Sequence, residues 1–103
     1  MAGFTVGADR VDARAWVCIA SDGTDNDSYG VSSVSSPANG TYLVNYSTAF
    51  SAGAYAVVAS ADTGGAKREI STSILSTSQS RIRIFDTVAG YVDRTSTLVA
   101  FGN

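Results

Sequence analysis

Along most of this chain apolar and polar residues alternate in short runs, each closed by Gly, Asn, Asp or Ser. A period of two sends successive side chains to opposite faces of a β-strand, so each run predicts a strand with two distinct sides. The first covers residues 14–20, with Trp16 and Cys18 on one face and Val17 and Ile19 on the other. Both faces are apolar, as expected of a central strand or one covered on both sides. Asp22-Gly23-Thr24-Asp25-Asn26-Asp27 then reads as a polar loop.

A second strand over 28–35 carries Val31 and Val34 out of strict alternation, which predicts a bulge near Ser32 and Ser33. Ser36-Pro37-Ala38-Asn39-Gly40 reads as a turn, its Asn-Gly pair tolerating positive φ. Residues 41–48 alternate most cleanly, with Tyr42, Val44 and Tyr46 opposed to Leu43, Asn45 and Ser47. Two such runs around Asn-Gly predict a β-hairpin. Further strands are predicted over 54–61, 68–77, 80–86 and 96–101, and loops at 62–65, Ser78-Gln79 and 88–93. In 80–86, Ile82 and Ile84 oppose Arg81, Arg83 and Phe85. The pattern is that of an all-β chain, an antiparallel β-sandwich of about seven strands. Residues 1–12 read as an N-terminal arm and 13–103 as the single domain.

Composition agrees with the pattern. Val and Ile outnumber Leu 16 to 3, while Lys and Glu occur once each, as Lys67 and Glu69. β-branched residues fit a pleated surface, and surface helices need the residues that are scarce here. The net charge of −2 comes with scattered basic residues, so no clustered footprint for nucleic acid is present. No apolar run reaches the roughly 18 residues of a membrane-spanning helix, and no membrane insertion is expected.

The chemistry of catalysis finds little to work with. There is no histidine, which removes the usual general base near neutral pH and the commonest zinc ligand. Paired carboxylates for glycoside hydrolysis would need a cleft, and the aspartates fall mostly in loops. Asp22, Asp25 and Asp27 lack the order and closing Glu of a calcium loop and read as a solvated turn. The expectation is no enzyme, no cofactor and no metal. Cys18, the one cysteine, reads as a small buried hydrophobe. The sequons at Asn26, Asn39 and Asn45 carry no weight in a chain a quarter Ser and Thr.

Tyr42, Tyr46 and Tyr55 read as core, whereas Tyr29 and Tyr91 flank polar loops and are less easily spent there. Exposed rings beside Asp and Asn suit sugar recognition. Only 16% of residues are charged, and Ile70-Ser71-Thr72-Ser73-Ile74-Leu75-Ser76-Thr77-Ser78 carries no charge at all. Edges and apolar faces so poorly protected are most simply covered by identical neighbours.

Several motifs, in order and spacing, now bear comparison with a known group. They are Ala13-Arg14-Ala15-Trp16-Val17, Ser28-Tyr29-Gly30-Val31-Ser32-Ser33-Val34 and Asn39-Gly40-Thr41-Tyr42-Leu43-Val44-Asn45-Tyr46. Ala49-Phe50, Tyr55-Ala56-Val57-Val58, Arg81-Ile82-Arg83-Ile84 and Val99-Ala100-Phe101-Gly102 follow. Together they resemble the C-terminal receptor-binding or tip domain of bacteriophage tail fibre proteins of the marine and cyanophage type. The resemblance covers nearly all of the chain from Ala13 onward. Cys18-Ile19 departs from a family preference for a polar then an aromatic residue, and Ser51-Ala52-Gly53-Ala54 replaces a Met-Pro-type turn.

The resemblance implies a homotrimer around a fibre axis, located in the virion and joined to other tail or fibre proteins. Its distal loops would bind a host cell-surface glycan or protein. The candidate contact residues are Asp25, Asn26, Asp27, Tyr91 and Asp93, in two polar loops. The alternatives are a structural trimerisation or virion decoration domain without receptor binding and, less favoured, a carbohydrate-binding module of an enzyme.

Overall fold

Alternation in the sequence becomes burial in the structure, strand by strand. The computed structural model describes residues 4–6, 9–11, 13–51, 55–62 and 68–102. Within the sandwich, β3 (Ala13–Ile19), β4 (Asp25–Tyr29), β7 (Ala56–Ala61) and β11 (Ser96–Phe101) form one sheet in the order β4-β3-β11-β7. The second sheet holds β5 (Val31–Ala38), β6 (Thr41–Tyr46), β8 (Arg68–Ser76), β9 (Gln79–Asp86) and the short β10 (Gly90–Tyr91). Every pairing is antiparallel. Because β8 runs along one edge of β9, β6 and β10 share the other edge end to end. Two further strands, β1 (Phe4–Val6) and β2 (Asp9–Val11), pair only with each other, so the expected arm contains a hairpin.

The core lies between the sheets. Ala15, Val17 and Ile19 of β3 and Leu98 and Ala100 of β11 face Tyr42, Val44 and Tyr46 of β6 and Ile82 and Ile84 of β9. In β6 and β9 they form one of the two faces that alternation separates, and in β3 they lie on the Val17–Ile19 face, one of its two apolar sides. As expected for a strand with two apolar faces, β3 has a neighbour on each edge.

Among the described residues nine strands make the sandwich instead of the expected seven, and Gly30 explains part of the difference. Residues 28–35 read as one strand, but the chain turns at Gly30 (φ +71°) and crosses from the first sheet to the second. A Cβ there would stand 2.6 Å from the Arg14 carbonyl oxygen, so glycine is required at the corner. The polar run around residue 25 also enters a strand, since β4 completes the edge beside β3. In the expected loop at 88–93, Gly90 and Tyr91 pair with Asp86 and Phe85.

The bulge falls where alternation broke, with Val31 and Ser33 opposite consecutive residues of β6 and Ser32 between them. The hairpin turn is shorter than expected: Pro37 and Ala38 belong to β5, and only Asn39 and Gly40 make the turn. Pro37 is tolerated because β5 is an edge strand with no partner on its outer side in the sheet. Of the two turn residues, Gly40 takes positive φ, at +64°, and Asn39 does not.

Tyrosine hydroxyls inside the sandwich are satisfied. The Tyr46 hydroxyl donates to Ser80 Oγ at 2.8 Å, and Ser80 Oγ lies 2.9 Å from the Tyr55 hydroxyl oxygen. Tyr55 stacks on Phe50 at 4.0 Å, and Tyr46 meets both rings edge-on. Burial pushes the Tyr46 phenol up to about 12 from its ordinary 10.0. Below pH 10 the phenol is protonated in folded and unfolded chains alike. Above that the unfolded chain ionises first, so stability falls as pH rises towards 12. Urea unfolding across this window should show that loss, and Tyr46→Phe should make it smaller.

Candidate functional site

The five expected contact residues sit toward one end of the sandwich, but the structure does not gather them into one site. At that end β3 runs into the turn at 21–23, β6 begins after Asn39-Gly40, and residues 92–95 lead into β11. Asp25 and Asp27 pair with Ile19 and Cys18 along the edge of the four-stranded sheet, and Asn26 is bulged out between them. Asp25 Oδ2 accepts the Ser28 hydroxyl at 2.6 Å, and Asp27 Oδ1 accepts the Ser28 amide at 3.0 Å. Both carboxylates therefore brace their own strand. Asn26 lines a cleft of about 210 Å³ with Cys18, Ser60, Asp62, Thr95 and Thr97.

Asp93 is spent on the fold. Its Oδ1 accepts the Gly40 amide at 2.7 Å. Beside it the Tyr42 hydroxyl donates to the Ser21 carbonyl at 2.8 Å and accepts the Arg94 amide at 3.0 Å. One phenol thus ties the 21–23 turn to the 92–95 segment, and burial raises its pKa above the ordinary value. Tyr91 belongs to a different surface, the outward face of the five-stranded sheet, where it is 47% exposed.

Two outward faces stand out, and both are assembled by strand register. On the four-stranded sheet, Tyr29, Trp16, Val99 and Val58 line up as cross-strand neighbours over β4, β3, β11 and β7. Tyr29 is 64% exposed and Val58 62%. The next row is Asp27, Cys18, Thr97 and Ser60, in which Asp27 alone is charged. Cys18 is thus half-buried on the outward face, not in the core, because it shares the parity of Trp16. A solvated sheet face normally carries polar residues on alternate positions, and this row leaves apolar side chains at least partly exposed across four strands.

The five-stranded sheet has the opposite character. Arg81 and Arg83 project from the middle of β9 beside Phe85, and their register partners are Ser73 and Ser71 on one side and Leu43 and Thr41 on the other. At one end of this strip Tyr91 meets Phe85 edge-on at 5.3 Å and lies under the Arg83 guanidinium at 5.6 Å. At the other, Gln79 Nε2 donates to Asn45 Oδ1 at 2.9 Å, and Asn45 Nδ2 to Ser33 Oγ at 3.1 Å.

A second concavity, of about 270 Å³, opens at the Gly30 corner among Arg14, Tyr29, Tyr46, Thr48 and Phe50. There the Arg14 guanidinium sits 4.8 Å from the Phe50 ring centroid. Among the described residues no three of Cys, Asp and Glu gather as metal ligands. What the geometry offers is surface: one apolar sheet face, one basic and hydroxyl-rich sheet face, and shallow clefts at the edges.

The apolar row had a signal in the sequence, the two apolar faces of residues 14–20. Its other members come from three separate segments that only register brings together. The segment Ser51-Ala52-Gly53-Ala54, expected to differ from the tail-fibre pattern, falls mostly outside the described residues. No family model, curated protein or solved structure matches this chain.

Proposed function

We propose that this chain is a receptor-binding tip domain of a bacteriophage tail fibre, working in the virion as a homotrimer and without catalysis. The observation that carries the reading is the row Tyr29, Trp16, Val99 and Val58. A face with that composition gains by being covered, and identical neighbours around an axis supply the cover. The family motifs support the reading from a second direction, since they fall largely on β3, β6, β7, β9 and β11.

The orientation of the strands fits a tip. β3 enters the sandwich at the end opposite the 21–23 turn, the Asn39-Gly40 turn and the 92–95 segment. With the N-terminal side toward a fibre, those loops face outward. Asn26 and Tyr91 are then the members of the expected set left free to meet a host surface, a glycan or a protein. Three copies on a fibre and several fibres on a particle turn weak single contacts into firm attachment.

The test is adsorption. Fluorescently labelled chain should assemble and bind host cells, and should compete with intact phage. A chain that assembles and resists heat but ignores the cells would overturn the adhesive role and leave a trimerisation or decoration domain.

A further inference from the structure

We propose that the outward face of the five-stranded sheet is a binding site for an acidic saccharide, with Arg81 and Arg83 holding its carboxylate or sulfate groups. This rests on the adhesive reading above and names the ligand class and the surface.

The two arginines are neighbours on one face of a central strand, about 7 Å apart along it. Among the described residues the one ion pair is Arg68 with Asp86, so neither Arg81 nor Arg83 has a carboxylate partner. Glu69 stands in register opposite Phe85 and pairs with neither. In both, Nε is buried against the sheet with no acceptor in the protein, and Arg81 adds only a 3.4 Å contact from NH2 to Ser73 Oγ. With both Nε atoms sealed against the sheet, an anion on this face would meet the outer guanidinium nitrogens, and no carboxylate of the described residues neutralises these two adjacent like charges.

The surroundings choose the anion. A guanidinium fork matches a carboxylate or sulfate with paired hydrogen bonds. Ser71, Ser73, Ser33 and Ser35 flank the strip, with the Asn45–Gln79 amide pair at one end and the exposed Tyr91 ring at the other. Hydroxyls and amides match sugar hydroxyls, and Tyr91 offers a face for ring stacking. From the Phe85 row to the Gln79 row the strip runs about 20 Å along β9, room for a short oligosaccharide lying flat. Nucleic acid calls for a longer basic stripe than two arginines on an acidic chain. Covering the other sheet by identical neighbours leaves this face outward.

The experiment is a glycan array on the full chain, comparing uronate-bearing and sulfated oligosaccharides with neutral ones, beside host-cell adsorption. Arg81→Gln/Arg83→Gln keeps the stems over the sheet and removes the charge, and its melting temperature should match the parent. The parent should bind the acidic spots, lose them as salt is raised, and fall at least tenfold in the double variant. Arg81→Lys/Arg83→Lys should fall between, because charge remains and the fork is lost.

Binding to neutral glycans alone, or acidic binding unchanged in the glutamine variant, overturns the proposal. So does equal, arginine-dependent binding to duplex DNA or anionic vesicles, which would mark a general anion surface. If parent and variant adsorb equally to host cells, this site is wrong while the adhesive reading stands. If neither touches cells or glycans, the adhesive reading itself has failed.

Discussion

Valine in place of Gly40 should cost the domain most of its stability, about 4 kcal/mol or more against a typical total of about 5–15. Gly40 sits at φ +64°, where a β-branched side chain is strained. A Cβ there would also lie 2.6 Å from the Ile84 carbonyl oxygen and 2.7 and 2.8 Å from the Val92 amide nitrogen and carbonyl oxygen. All three are backbone atoms. They belong to the junction where the Ile84 amide donates to Gly40 and the Val92 amide to Ile84, so nothing there yields cheaply. Gly90 is the internal control, with φ +81° and open space around its Cβ position. Gly90→Ala should lose only the strain of about 1–2 kcal/mol. Equilibrium urea unfolding compares the two directly, and similar losses for both would contradict the account.

Val58→Glu should dissociate the proposed trimer while leaving the fold intact. Val58 is 62% exposed on an edge strand, so a single chain tolerates a carboxylate there at little cost. In a covered interface the same charge would be buried without a partner, a penalty on the order of 3 kcal/mol in each subunit. Its melting temperature should also fall and lose its dependence on concentration, because assembly stabilises by mass action. Ser71→Glu, outward on the other sheet, should leave the assembly whole. An unchanged oligomer in Val58→Glu would move the interface elsewhere.

How legible this fold was depended on the strand. In β6 and β9 the two faces read correctly, because alternation over six or more residues separates one apolar set from the other side. Gly30 was harder. Ser28-Tyr29 before it and Val31-Ser32 after it keep a strand-like composition, the broken alternation further on reads as a bulge, and only the second sheet reveals that one apparent strand is two. Polar residues misled most: Asp25 and Asp27 brace a strand edge, and the Asp93 carboxylate holds the Gly40 amide. A polar loop looks alike in sequence whether its carboxylates face water or the backbone.

The surfaces were the least visible. Trp16, Val99 and Val58 lie far apart along the chain, and each alone is an ordinary strand residue. Arg81 and Arg83 read as one side of an alternating strand, which says nothing of whether a carboxylate stands opposite. Both surfaces follow from register, and register between distant strands is set by packing that a linear pattern does not contain.

Self-association carries the reading, and sedimentation equilibrium of the unaltered chain tests it most directly. A species of three times the 10.6 kDa chain mass is expected at micromolar concentration. A single 10.6 kDa species across that range would contradict it.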